Sequence, residues 1–315
     1  MTRRRLIILG GIVVFVAALA GVGAISRSTS STAATSVSVS PAKSVAPSVS
    51  WYWTMAVAPS SPTTLILGTS SGLYRSADAG KTWKPTGPKV FNATSVVDAG
   101  SAIFAAGSVT KATSGPVVKT GNRRYASDGS VVFAASVDAG KTWRLLHPVG
   151  LPNATVQALT VDPGTNAVYA LSNNGKLYSS TDDAKSFKLV DANIGIPAWA
   201  LAVTQGGHFV GGDMDAGPHT SSNAKAWQKT AFSDGNGGSM VMEYAVQPKN
   251  ATQVLMTSNG IVISSDGGRT WKTALKSTTM FGPVAYAPSS PNTAYAVGFD
   301  GSLWRSTDGG KSWSQ

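Results

Sequence analysis

Short apolar stretches alternate with Gly-, Pro- and Asn-bearing turns from Trp51 to the end of this chain. In the last part they fall at 284–287, 294–297 and 303–306, separated by turns at 288–292 and 299–301. An earlier part repeats the layout at 158–161, 168–171 and 177–180, with Pro163-Gly164 and Asn174-Gly175 between the runs. Runs this short, bounded by chain breakers, read as β-strands. Each group of three is followed by a polar phrase that ends in an aromatic residue, where a fourth strand begins. The predicted unit is a four-stranded antiparallel meander.

The phrase itself recurs as Ser-x-Asp-x-Gly-x-Thr-Trp. It reads SADAGKTW at 76–83, SVDAGKTW at 136–143, SSDGGRTW at 264–271 and STDGGKSW at 306–313. A weaker copy, STDDAKSF, occupies 180–187, and a decayed one, TSSNAKAW, occupies 220–227. The aromatic ends lie 60, 44, 40, 44 and 42 residues apart. A four-stranded unit at that period is a propeller blade, since one such sheet cannot bury both faces alone. An all-β propeller of six blades is expected, with seven as the alternative should the long first gap hide a blade.

These phrases resemble the Asp-box, or BNR, repeat of sialidases, sortilin-type receptors, xyloglucan-cleaving enzymes and photosystem II assembly factors. The resemblance implies that the phrase forms the turn between the third and fourth strands of a blade. It also implies that ligands bind on the opposite face, over the central channel. Asp closes turns onto backbone, Gly tolerates positive φ and Trp brings a large apolar area, so the residue chemistry agrees. Asp78, Asp138, Asp182, Asp266 and Asp308 are therefore expected to be structural, with Trp83, Trp143, Phe187, Trp271 and Trp313 packing between blades. A catalytic carboxylate is needed once or twice, not once per blade. The decayed copy has Ser222 in the Asp place, so its turn is expected to be the least ordered.

The start of the chain has another character. Arg3, Arg4 and Arg5 precede an uncharged apolar run at 6–25, which reads as a targeting segment. Ala18-Leu19-Ala20 suits a cleaved signal peptide, while about 20 apolar residues suit an uncleaved transmembrane anchor. Both readings place the rest outside the cytoplasm. Residues 26–50 are nearly all Ser, Thr, Ala, Val and Pro, a flexible linker, and the propeller is expected over 51–315. Without cysteine, the chain has neither a lipoprotein anchor nor a thiolate metal site, and its core must carry its stability.

Net charge is +11, of which the three leading arginines hold three. That balance favours an anionic envelope polymer or lipid head group. No nucleic-acid recognition motif is present, and no cofactor is expected. An insertion of about 24 residues separates the second and third strands of unit two. It carries Lys111, Lys119, Arg123, Arg124 and Tyr125, with Asp128 as its one acid, and is the candidate partner contact.

Glu243 is the sole glutamate and sits in a first strand, where other units have Thr54, Ala158, Ala200 or Pro283. It is the candidate catalytic carboxylate, with Asp213 and Asp215, beside His219, or Asp300 as possible partners. Sialidases of the resembling family use an arginine triad, a Tyr–Glu pair and an Arg-Ile-Pro motif. This chain lacks Arg-Ile-Pro. Arg75, Arg144, Arg269 and Arg305 lie in or beside phrases, and Tyr244 neighbours Glu243 on a strand, where side chains point to opposite faces. His147, His208 and His219 show no metal-ligand spacing. Trp51, Trp53, Trp199 and Phe281 are candidates for stacking on sugars or for blade packing. The expectation is a monomeric, non-catalytic binding or scaffold propeller whose partner is a protein, a glycan or an envelope polymer. A glycoside hydrolase and a photosystem II assembly-type protein are the alternatives.

Overall fold

The computed structural model describes residues 49–89, 91–109, 119–120, 123–124, 131–151, 155–232 and 240–315. Their strands form six consecutive antiparallel sheets, each built from one contiguous stretch of chain. The fold is a six-bladed β-propeller, and no seventh blade occurs among the described residues. The innermost strands are Tyr52–Val57, Phe91–Asp98, Val156–Val161, Ala200–Val203, Tyr244–Gln247 and Phe281–Ala287. Four of them are almost wholly buried and Phe91–Asp98 and Val156–Val161 are so in part, whereas outer strands such as Lys84–Thr86 are largely exposed. The sixth blade has the slightest outer strand, reduced to a bridge in which Arg305 and Ser314 exchange backbone hydrogen bonds of 2.7 and 2.9 Å. The leading arginines, the apolar run and the linker to residue 48 lie outside the described residues. Among the described residues no helix is long and apolar enough to cross a membrane.

Apolar side chains collect in six clusters, one per blade-to-blade interface. Each cluster takes in the aromatic end of one phrase: Trp83, Trp143, Phe187, Trp227, Trp271 or Trp313. The ring closes where blade six meets blade one. There Tyr295 is fully buried against Leu65 and Leu67, and its hydroxyl donates to the Pro62 carbonyl at 2.9 Å. Among the described residues no strand is exchanged across this seam, where closure rests on side-chain packing and that hydrogen bond.

The phrase turn supplies both the bend and the wedge. In the second blade Asp138 accepts from the Thr142 backbone at 2.8 Å, the Thr142 hydroxyl at 2.6 Å and the Ser136 hydroxyl at 2.8 Å. Ser136 Oγ in turn accepts the Gly140 N–H at 2.9 Å. The same set recurs at Asp78, Asp182, Asp266 and Asp308. Turn amides also reach the first-to-second-strand turn of the same blade, with Ala79 N–H on Thr63 O and Gly309 N–H on Asn292 O, both at 2.8 Å. The phrases and those turns thus share one face, as the meander requires.

The decayed copy departs from expectation. Its turn is closed by Asn223, not left open at Ser222: Asn223 Oδ1 accepts from the backbones of Lys225 at 2.9 Å and Ala226 at 3.0 Å, and from the Ser221 hydroxyl at 3.2 Å. The copy is one residue short between its Ser and its Trp. Alignment on the Trp therefore displaced the acceptor by one place. What it lacks is the hydroxyl bond of the other copies, since Ala226 stands where they have Thr or Ser.

The fifth phrase position has φ of +87°, +77°, +87° and +89° at Gly80, Gly140, Gly268 and Gly310. A Cβ added to Gly140 would lie 2.1 Å from Ile66 Cδ1, and one on Gly268 2.4 Å from Val210 Cγ1. Backbone conformation and contact with the preceding blade both select glycine there. Blades three and four already carry Ala184 and Ala224 at this place, at φ 59° and 61°. Gly140→Ala is expected to destabilise by about 2–4 kcal/mol in urea unfolding, summing the left-handed strain and the overpacking. Ala184→Gly is expected to cost less than about 1 kcal/mol. Equal losses for the two would contradict this account.

Candidate functional site

Each innermost strand carries an irregularity near its start. Trp53, Thr94 and Gln157 fall in register shifts of the first three blades, and the sixth has its shift between Phe281 and Val284. In the fifth, Met242 N–H donates to Thr257 O while Thr257 N–H donates to Glu243 O, so two residues oppose one. In the fourth, Trp199 N–H reaches Gly212 O, although Gly212 is already paired with Ala200. A bulge re-aims the side chain it carries. Here Trp53, Gln157, Trp199 and Met242 all line the central channel. They mark its mouth on the face away from the phrase turns, called the far face below.

The channel is a cavity of about 350 Å³ lined by all six innermost strands. Hydroxyls near the strand starts tie neighbouring blades together: Thr54 Oγ1 accepts the Val96 N–H at 3.2 Å, and Ser95 Oγ accepts the Leu159 N–H at 2.8 Å. Glu243 performs the same task between blades five and six, its Oε2 accepting the Val284 N–H at 3.3 Å. Its Oε1 accepts from the Thr54 hydroxyl at 2.7 Å. One carboxylate thus links blades five, six and one. Glu243 keeps part of its surface open to the channel, yet lies deep in the ring. Burial pushes its carboxyl well above the usual carboxylate range, against the hydrogen bonds from Thr54 and Val284.

Asp98 is the other carboxylate among the described residues of the lining, and sequence reasoning passed over it. It is the last residue of its strand, in the register of Val57, Val161, Val203, Val246 and Tyr286. The signal was there: one acid among residues that are otherwise apolar. Burial raises it to about 6, opposed by the Gly100 N–H at 2.9 Å. Among the described residues no Lys, Arg or His lines the cavity.

The other candidates fall elsewhere. Asp213 Oδ1 closes its own turn, accepting from the Asp215 backbone at 2.9 Å and the Ala216 backbone at 2.7 Å. Asp300 does likewise with the Ser302 N–H at 3.0 Å. Asp213, Asp215, His219 and Asp300 are absent from the channel wall. Tyr244 points away from Glu243, into the interface of blades four and five. Arg75 donates to the Ala139 carbonyl at 2.7 Å, an inter-blade tie. Phe281 is fully buried in the interface of blades five and six, so it offers no stacking surface. Trp51 does: it is 42% exposed, stacks on Trp53 at 5.5 Å and meets the edge of Phe299 at 5.2 Å. Of the basic insertion, Lys119–Thr120 pairs with Arg123–Arg124 as a short hairpin between the second and third strands of blade two. Lys111, Tyr125 and Asp128 lie outside the described residues.

No protein-family model and no curated protein matches this chain. Among solved structures it is similar to YCF48 bound to D1 peptide, with a TM-score of 0.50 and 19% identity over 89% of this chain and 85% of that one. It is also similar to YCF48 from Cyanidioschyzon merolae, with a TM-score of 0.50 and 14% identity over 86% and 87%. A GH74 enzyme from Niastella koreensis aligns at a TM-score of 0.49 and 14% identity, over 83% of this chain and 46% of its own. At these identities the first two share the propeller fold with this chain.

The two sets of carboxylates make opposite contributions to stability. Hydrogen bonds from Thr82 and Thr142 hold Asp78 and Asp138 at about 2, so the stability they contribute is present above pH 3.8 and lost as pH falls through about 2. Asp98 is shifted the other way. Its contribution is full below 3.8 and is lost as pH rises through about 6. Asp98→Asn is therefore expected to stabilise by about 1–2 kcal/mol at pH 8, and to change little at pH 4. Thermal melts at both values check this, and an equal offset at both would refute it.

Proposed function

We propose that this chain is an exported, non-catalytic binding propeller that takes a protein segment at the far mouth of its channel. The observation that carries the reading is that mouth. Exposed Trp51 is stacked on Trp53 and edged by Phe299, next to an opening framed by bulged side chains. An exposed aromatic group of this kind suits an apolar or peptide contact. The resemblance of the phrases to the Asp-box repeat agrees, because it places ligands on that face. A structural neighbour with a peptide bound also supports a protein ligand, although its likeness to this chain is one of fold. The basic leader, the apolar run and the linker support display outside the cytoplasm, with the propeller tethered or released.

The geometry disfavours a glycosidase. Paired carboxylates in such enzymes lie about 5–10 Å apart. Asp98 and Glu243 belong to blades two and five, on opposite walls of the ring. Their register places them three residues apart along the channel, about 10 Å by strand rise alone, before its width is added.

Capture from cell-envelope extract with the full chain tests the reading. A partner held by the wild type is expected to fall roughly 10-fold with Trp51→Ala, the scale of a lost aromatic anchor. Lys141→Glu on the phrase face is expected to leave capture unchanged. Equal capture by all three proteins, or turnover of a glycan that Glu243→Gln abolishes, would sink it.

A further inference from the structure

The charge of this chain is distributed unevenly between its channel and its exterior. The whole chain carries +11, yet among the described residues the cavity wall holds two carboxylates and no cation. Lys81, Lys141, Lys185, Lys225, Arg269 and Lys311, one in each phrase, are all exposed. The chain's sole glutamate lies inside, where bulk water cannot fully solvate it.

Three further features bear on what Glu243 does there. First, each of its oxygens accepts one hydrogen bond, from Thr54 and from Val284, which fixes the carboxylate in place. A carboxylate oxygen has room for two, so among the described residues each keeps an acceptor position free. Second, the hydroxyl of Thr54 or Ser95 meets the inter-blade requirement in other blades, accepting a neighbour's N–H without any charge. A Ser or Thr would satisfy the Val284 N–H as well, so the tie alone does not account for an ionisable group. Third, Trp53 and Trp199 line the same cavity from blades one and four, on either side of the arc that holds Glu243. Their orientation is fixed by Nε1 bonds of 2.8 Å to Asn92 and 2.9 Å to the Val241 carbonyl. Indole faces attract cations, most strongly where water is scarce.

We propose that the far mouth of the channel is a receptor for one organic cation, an alkylammonium or guanidinium group, with Glu243 as its counter-ion and Trp53 and Trp199 as its walls. A buried carboxyl without a counter-charge gains most from a cation brought to it. The cavity, at about 350 Å³, suits one long side chain or small amine and excludes a folded domain. The inference rests on the binding role proposed above and deepens it: the protein segment held at the mouth would insert a lysine or arginine. A free amine has the same chemistry, and the test separates the two sources.

Titration calorimetry of the full chain would use n-butylammonium, n-butylguanidinium, a blocked pentapeptide with one central lysine, and its norleucine counterpart. The lysine peptide is expected to bind roughly 10- to 100-fold tighter than the norleucine peptide, the ratio for a buried charged hydrogen bond. Glu243→Gln, which keeps the shape and one acceptor, should remove that difference. Met242→Lys gives a second variant that leaves the inter-blade tie intact. It places a tethered ammonium at the mouth and should block the site. Butylammonium or butylguanidinium binding as tightly as the lysine peptide would identify a free organic cation as the ligand, and tighter peptide binding would identify a protein side chain. Equal binding of both peptides, no binding of any probe, or full binding by both variants overturns the proposal. Should partner capture still depend on Trp51 in that case, the binding role stands and only the cation is lost.

Discussion

Everything in this ring depends on the contact between one blade and the next. A four-stranded sheet leaves two apolar faces, and the structure covers them by inserting a phrase aromatic into each of the six interfaces. The phrase achieves this with few atoms. Its Asp closes the turn, its glycine lets the backbone press on an aliphatic side chain of the preceding blade, and the indole follows into the gap. In four turns the indole N–H returns to the carbonyl of the same wedge residue, at 3.0 to 3.2 Å. Turn and interface are therefore built from the same residues.

That economy is why the architecture was legible from the sequence. Repeated chemistry at a period of 40–44 residues, broken only by the long first gap, gives the blade count, the meander order and the face on which the turns lie. Asn223 shows where legibility failed: an acceptor moved by one position once the copy had lost a residue. The site was harder to read, because its devices do not repeat as letters. Bulges at Trp53, Gln157 and Met242 are properties of strand pairing, and no common residue type marks them. Asp98 needed only a comparison of equivalent strand ends. The link from Glu243 to Thr54 joins residues 189 apart and depends on ring closure, so no local pattern announces it.

The channel also shows how one position can serve structure and recognition together. Where a hydroxyl would satisfy a neighbour's N–H, the fifth blade uses a carboxylate, and the same bond that ties the blades holds the acid in place. Positioning thus comes from the scaffold: Glu243 stands immediately before the innermost strand Tyr244–Gln247 and is held by bonds to the neighbouring blades. The far-face connections are then left to set what approaches the mouth, with Phe299 and the hairpin of blade two as the visible examples.

The seam between blades six and one has a topological consequence. Each blade is complete within its own stretch of chain, so blades can form one after another in the order in which the chain becomes available. None has to wait for a strand from the opposite terminus. What remains until last is the approach of Tyr295 to Pro62, a contact between residues 233 apart. Such a ring resembles a split washer: five joints are bridged by polypeptide and the sixth by side-chain contacts, the Tyr295 hydrogen bond among them. Cutting the chain at another joint and linking the present ends would move the split without altering the ring.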